Sequence, residues 1–194
     1  MIDQLFSDLS ALPQVEAIAL GGSRAGMCYD EKSDYDVYLY CTQPVSEETR
    51  RVILKKYCSY MEIGNQFWET EDNCTLKNGI DIDILYRNLD DFSQGLHYVV
   101  ELCQPYNAYT TCMWHNLITS QIVFDRHGKL YELQKRYSVS YPQRLKKNII
   151  SKNDLFYPER SLTRDEMCKI IVASITASTN AEIKAGDIAV FTDA

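Results

Sequence analysis

Residues 15–23 read VEAIALGGS, and residues 33–41 read SDYDVYLYC. The first stretch is a compact apolar run ending in Gly21-Gly22, the pattern of a strand that runs into a tight turn. The second is rich in aromatic and branched residues from Tyr35 to Cys41, which favours another strand. A third stretch, residues 79–85, reads GIDIDIL. Alternate residues of a strand face the same side. Ile80, Ile82 and Ile84 would therefore pack into a core while Asp81 and Asp83 project from the other face. Three apolar strands interleaved with helical stretches predict an α/β fold class.

Asp34 and Asp36 project together from the start of the second strand, about 7 Å apart by strand rise. Two carboxylates on one face repel unless a cation sits between them. Magnesium (Mg2+) suits that place: it is a hard ion that takes one or two carboxylates and fills its shell with water and phosphate oxygens. A third carboxylate from a neighbouring strand would complete a two-metal site for in-line phosphoryl displacement. Asp81 and Asp83 both qualify. Asp83 is preferred because it lies deeper in its strand, where an unpaired charge is most costly. In the Gly21-Gly22-Ser23 turn, glycine lets the backbone approach a phosphate closely, and N–H groups at a helix start favour anions. Ser23 adds a hydroxyl donor, and Arg24 is placed either to reach a triphosphate or to cap a neighbouring carboxylate. A lone GGS or a lone DxD says little. Joined by ten intervening residues and followed by an acid on a later apolar strand, they form a pattern hard to reach by chance.

Leu5, Phe6, Leu9 and Leu12 share one face of a helix over 2–12, ended by Pro13. Pro44 and Ser46 open a helix to about Tyr60, with Ser46 as its cap and Glu47 and Glu48 in its first turn. Residues 64–87 read as a hairpin, with one arm from Asn65 to Glu71, a turn near Lys77-Asn78-Gly79 and the other arm from Ile80 to Tyr86. Helices are expected from Asn88 to about Cys103 and from about Ala108 to Thr119. A short strand follows from Gln121 to Phe124, then a turn over Asp125-Arg126-His127-Gly128. From about Leu130 the pattern is helical and more charged. Pro142 opens one helix, and Tyr157-Pro158 and Ser161-Leu162-Thr163 break and restart the pattern. This gives a core domain over 1–130 and a helical C-terminal region over 131–194.

At 194 residues the chain suits one domain plus a partial second, and it can bury a sizeable core. It has no run of about 18 apolar residues, so no membrane span is expected. The first residues lack the basic and then apolar regions of a secretory signal, which predicts a cytoplasmic protein. The cysteines are Cys28, Cys41, Cys58, Cys74, Cys103, Cys112 and Cys168; no two form CxxC, and several sit in apolar patterns as buried free thiols do. Neither they nor the scattered histidines have zinc-site spacing. A formal net charge of -7 gives no general attraction to a phosphate backbone. A long nucleic acid is thus disfavoured as a partner, and a small or cationic acceptor fits better.

Glu101, Glu132 and Glu166 are candidate general bases, but each reads first as part of a solvated helix face. Arg144, Lys146 and Lys147 likewise read as a helix surface. Tyr35 points opposite to Tyr38 and Tyr40, so these rings read as packing rather than base stacking. Trp68 and Trp114 read as core or interface residues, and His97 and His115 as structural.

Gly21-Gly22-Ser23-Arg24-Ala25-Gly26, followed by Ser33-Asp34-Tyr35-Asp36-Val37-Tyr38, resembles the core motif of the DNA polymerase beta-type nucleotidyltransferase superfamily. It is most similar to the bacterial aminoglycoside and lincosamide nucleotidyltransferase-like group. Ile82-Asp83-Ile84-Leu85-Tyr86-Arg87 resembles that group's third-acid strand, which supports Asp83 over Asp81. The resemblance implies a mixed β-sheet with helices on one side, followed by a helical region. It also implies transfer of a nucleoside monophosphate from an NTP to an acceptor hydroxyl with release of pyrophosphate; ATP is the expected donor and AMP the group moved. By the same resemblance, Asp34 and Asp36 would bind both magnesium ions and Asp83 the ion that activates the acceptor, while Gly22 and Ser23 hold the triphosphate.

Members of that group continue into a helical bundle that helps form the acceptor pocket. Here this sequence stops at Ala194, and that part is expected to be truncated, replaced, or supplied by a second subunit as in a homodimer. A small-molecule hydroxyl is the expected acceptor, with an aminoglycoside-like compound the nearest analogy. The alternatives are transfer to a macromolecule, as AMP to a protein or a nucleotide to an RNA end, and a nucleotide-binding module without catalysis.

Overall fold

The computed structural model describes residues 1–26, 29–66, 69–104 and 111–153. Its first half runs α1 (Ile2–Ser10), β1 (Val15–Leu20), the short helical turn α2 (Gly22–Ala25), β2 (Tyr35–Cys41) and α3 (Glu47–Leu54). Three strands follow, β3 (Cys58–Asn65), β4 (Thr70–Leu76) and β5 (Asp81–Asn88). Then come α4 (Leu89–Leu96), which continues as a π-helical turn over His97–Glu101, and α5 (Cys112–Thr119). The last elements are β6 (Gln121–Asp125), α6 (Lys129–Tyr137) and α7 (Gln143–Asn153). No helix of the described residues is long and apolar enough to cross a membrane.

The strands form a six-stranded sheet in the order β3-β4-β5-β2-β1-β6. β2 and β5 run parallel, and the other neighbours are antiparallel. The architecture is therefore α+β on a mixed sheet. Helices cover both of its faces, where the resemblance implies one. Strand alternation explains the difference. Val37, Leu39, Ile82 and Ile84 face a cluster that includes Leu5, Phe6 and Leu9 of α1 and Ile53 and Leu54 of α3. The intervening Tyr38, Tyr40 and Arg87 face the other way, where Phe92 of α4 meets the Tyr40 ring with centroids 4.9 Å apart. Central strands with bulky side chains on both sides need two covers.

Local signals place the helix starts. The Ser46 hydroxyl accepts the Thr49 N–H at 3.3 Å, with Glu47 and Glu48 in the first turn of α3. Asn88 caps α4 by accepting from the N–H groups of Asp90 and Asp91 at 2.9 and 3.0 Å. Cys41, Cys58 and Cys74 are buried free thiols, Cys103 is buried with its Sγ donating to the Val100 carbonyl, and Cys112 is exposed.

Two stretches depart from the sequence reading. The helix expected to reach Tyr60 stops at Leu54, and Cys58–Asn65 is instead the edge strand β3. At the turn between them, Lys56 and Tyr57 both donate to Asp8 Oδ2 at 2.9 Å, pinning the end of α3 to α1. The first hairpin arm is Thr70–Leu76 rather than Asn65–Glu71, while the turn near Lys77-Asn78-Gly79 stands as expected. β4 was hidden because one of its inward positions is a charge. Asp72 is fully buried and survives there by pairing with the buried Arg50 guanidinium and accepting the Gly64 N–H at 2.9 Å. The Arg50 guanidinium also lies over the Tyr86 ring, 4.6 Å from its centroid.

The chain divides into two compact units, Met1–Lys146 and Lys147–Ala194. The first extends past the 1–130 core read from the sequence and takes in α6, whose Tyr137 carbonyl accepts the indole N–H of the buried Trp114 at 2.8 Å. The readings at Cys28, Trp68, Glu166, Cys168, Tyr157-Pro158, Ser161-Leu162-Thr163 and the tail, and the start of the helix expected at Ala108, lie outside the described residues.

Arg50→Met leaves the Asp72 carboxylate buried without its cation. It should lower unfolding free energy by about 3–5 kcal/mol, while Arg50→Met with Asp72→Leu should recover most of that loss. Urea denaturation of the two variants checks this, and equal losses in both would show that the pair contributes more than mutual neutralisation.

Candidate acidic site at the start of the parallel strand pair

β2 and β5 begin at the same end of the sheet, and their register sets Asp36 directly opposite Asp83. Asp34 precedes β2 by one residue and two positions before Asp36, which puts it on the same face by alternation. The effect of this grouping shows at Asp36. Partial burial raises the pKa of the Asp36 carboxyl above the usual carboxylate range, and Asp34 and then Asp83 push it further in the same direction.

β1 runs antiparallel to β2, with Leu20 opposite Val37, so its end delivers the glycine bend to the acids. The Gly21 N–H donates to the Asp36 carbonyl at 2.7 Å. Gly22 has a φ of +57°, and a Cβ there would collide with Asp36 Oδ2 and lie 2.8 Å from its Cγ. A Cβ on Gly21 would lie 2.8 Å from the Tyr38 hydroxyl oxygen. Only glycine fits against the carboxylate at this bend. Gly22 and Ser23 are exposed beside it.

Arg24, which the sequence places either to reach a triphosphate or to cap a carboxylate, is bonded here to backbone carbonyls. Its guanidinium donates to the Ser33 carbonyl at 2.8 and 2.5 Å and to the Asp34 carbonyl at 3.0 Å, and it lies 3.9 Å from the Tyr35 ring centroid. It therefore fastens the loop that leads into β2 and fixes the backbone at Asp34. Asp81 accepts the Thr75 hydroxyl at 2.8 Å. Asp83 Oδ1 instead accepts the Asn73 amide at 2.8 Å, and Asn73 Oδ1 accepts the Asn65 amide at 2.6 Å. Neither asparagine carried a sequence signal, since Asn73 lies on the strand that the reading missed. Tyr38 follows Asp36 on the same face; burial is the main cause that pushes its hydroxyl up to about 12, so it stays neutral.

The other candidates stand apart from this group. Glu101 is held by His97 at 2.7 Å and by Arg136 at 2.7 Å. Glu132 lines a cavity of about 470 Å³ with Leu89, Asp90, His127, Lys129 and Arg136. That cavity opens after the final residues of β5 and β6, at the end of the sheet away from the acids. Arg144 and Lys146 are exposed, as a helix surface is.

The donor set of Asp34, Asp36 and Asp83 suits a hard divalent ion such as magnesium. Among the described residues no three His, Cys, Asp or Glu side chains are arranged as a ready metal cage.

Gly22→Ala must relieve a collision with Asp36 and hold alanine in the left-handed region, which by itself costs about 1–2 kcal/mol. A fall in melting temperature is expected; an unchanged value would mean that the bend moves freely. Asp36→Asn should act the other way in metal-free buffer. Because folding raises the Asp36 pKa, ionising it opposes folding: there is no penalty below the unfolded value near 3.9, and the penalty grows as pH rises through the folded value. The variant should thus melt higher than the parent at pH 7 and lose that advantage at acidic pH, as a pH series of thermal scans would read. No protein-family model matches the chain, and no curated protein matches its sequence.

Proposed function

We propose that this chain is a magnesium-dependent nucleotidyltransferase that moves a nucleoside monophosphate, AMP when ATP is the donor, onto the hydroxyl of a small-molecule acceptor. One observation carries the reading: Asp36 and Asp83 stand opposite each other on parallel strands while the Gly22 backbone presses against Asp36. Carboxylates and a glycine bend thus meet at one place, an arrangement that suits phosphoryl transfer.

Asp34, Asp36 and Asp83 are the residues that would hold magnesium. Bound there, the ion supplies Lewis-acid stabilisation of charge on the phosphates and on the attacking oxygen. The chain does the rest by binding and orientation. The Gly22 N–H and the Ser23 hydroxyl donate to the triphosphate, and the missing Cβ at Gly22 lets that backbone lie close to both carboxylate and phosphate. Arg24 keeps the Asp34 backbone fixed while substrate is bound. In the transfer, the acceptor oxygen bonds to the α-phosphorus and the bond to the β-bridging oxygen breaks. Pyrophosphate leaves with that electron pair, and the hydroxyl proton passes to solvent.

A formal charge of -7 favours a small acceptor over a long nucleic acid. A cytoplasmic setting, where ATP and magnesium are plentiful, suits the reaction, and a second copy of the chain is a candidate for completing the acceptor side.

The test is pyrophosphate release with each NTP, magnesium and a panel of amino-hydroxyl acceptors. Acceptor-dependent release is expected. Asp34→Asn or Asp36→Asn should lower it by more than about 100-fold, because changes outside the metal ligands already cost 10–100-fold. Labelling of the chain itself or of a protein or RNA would redirect the proposal to a macromolecular acceptor, and nucleotide binding without turnover under any condition would overturn it.

A further inference from the structure

One row of side chains crosses four strands on the acidic face. Glu62 of β3 is the register partner of Asn73 of β4, Asn73 of Asp83 of β5, and Asp83 of Asp36 of β2. Resting on the nucleotidyltransferase reading, we propose that Asn73 is the positioning residue for Asp83, with Asn65 fixing the orientation of Asn73. The role is to hold one oxygen of the third acid in place so that the other is presented toward Asp36 for the divalent ion.

The hydrogen-bond directions decide this. Asp83 Oδ1 can only accept from its neighbour, so the Asn73 amide nitrogen must face it, at 2.8 Å. The Asn73 carbonyl oxygen then faces β3, where the Asn65 amide nitrogen donates to it at 2.6 Å. Asn65 directs its second amide hydrogen toward Glu62 Oε2, at a longer 3.4 Å. Each amide is thus set by an acceptor on one side and, for Asn73, by a donor on the other. Donation runs from β3 toward β5 and ends on the carboxylate. A flipped Asn73 would set its carbonyl oxygen against the carboxylate oxygen, and an aspartate at 73 would line up four like charges across adjacent strands.

A carboxylate fixed by a neutral donor keeps its full ligand charge and loses rotational freedom, which is how outer hydrogen bonds tune metal ligands. Asp81, two residues earlier on the same face, gives the contrast. It is tied to the Thr75 hydroxyl and lies outside the row.

The experiment measures Mn2+ binding by the full chain with a non-hydrolysable ATP analogue, by calorimetry or electron paramagnetic resonance, alongside melting in chelator. Asn73→Ser should weaken Mn2+ binding by about 10–100-fold. Asn65→Ser should weaken it less and in the same direction, Asn73→Gln should restore part of the affinity, and Asp81→Asn should match the parent. In turnover, Asn73→Ser should lower kcat and raise the divalent requirement while leaving the nucleotide KM near its parent value. Parent-like Mn2+ affinity in a folded Asn73→Ser overturns the positioning role alone. If Asn73→Ser fails to melt cooperatively, parent-like affinity in Asn65→Ser overturns it instead. Absence of nucleotide-dependent Mn2+ binding by the parent protein overturns this role and the nucleotidyltransferase reading together.

Discussion

Like charges on one face of a sheet are the constraint around which this chain is built. The parallel register of β2 and β5 sets Asp36 opposite Asp83, and burial first, then the charges of Asp34 and Asp83, raise the Asp36 pKa. Several local features follow from the need to keep these carboxylates close. Gly22 leaves out the side chain that would occupy the Asp36 position, and its left-handed conformation turns the chain away at that point. The Arg24 cation is spent on the Ser33 and Asp34 carbonyls, where it holds the backbone without neutralising the acids. Asn73 meets Asp83 with a neutral donor.

Elsewhere in the sheet, buried charge is cancelled in pairs. Arg50 meets Asp72 on the face covered by α1 and α3, and Arg87 meets Glu69 through bonds of 2.6, 2.9 and 3.1 Å on the other. Both guanidiniums also lie over tyrosine rings, Arg50 over Tyr86 and Arg87 over Tyr38. A buried ion needs its partner because desolvation costs several kcal/mol per charge. With these two cations committed, neither is spare to offset the acids at the start of β2 and β5.

How much of this was legible depended on whether each residue's partner could be read nearby. β1, β2 and β5 announced themselves because their inward residues are apolar, and β1 and β2 have the bounds expected of them. Ser46 was readable because a cap and the N–H group it accepts lie within three residues. β4 was misplaced because Asp72 belongs inside only on account of Arg50, 22 residues earlier in the chain. β3 was absorbed into α3 because the stop after Leu54 depends on Asp8 of another helix. At the site the asymmetry is the same. Acids and glycines are visible as residue types, whereas the Arg24 bonds to backbone carbonyls and the Asn65-Asn73-Asp83 relay depend on strand register, which no local pattern encodes.

The spacing between the glycine bend and the acids also has a structural origin. β1 and β2 are antiparallel neighbours, so a chain leaving β1 at Leu20 must reverse before it can enter β2 opposite the point it left. The loop is closed by Arg24 reaching back to the Ser33 and Asp34 carbonyls and by Ser33 bonding to Asp30 Oδ1 at 2.9 Å. With the loop closed this way, Gly21 returns beside Asp36 and donates to its carbonyl. A parallel pairing of the same two strands would have carried the bend to the far end of the sheet, near the cavity lined by Glu132 and Lys129, and left the acids without it. Strand direction, more than the size of any hollow, decides whether the glycine bend and the carboxylates can meet.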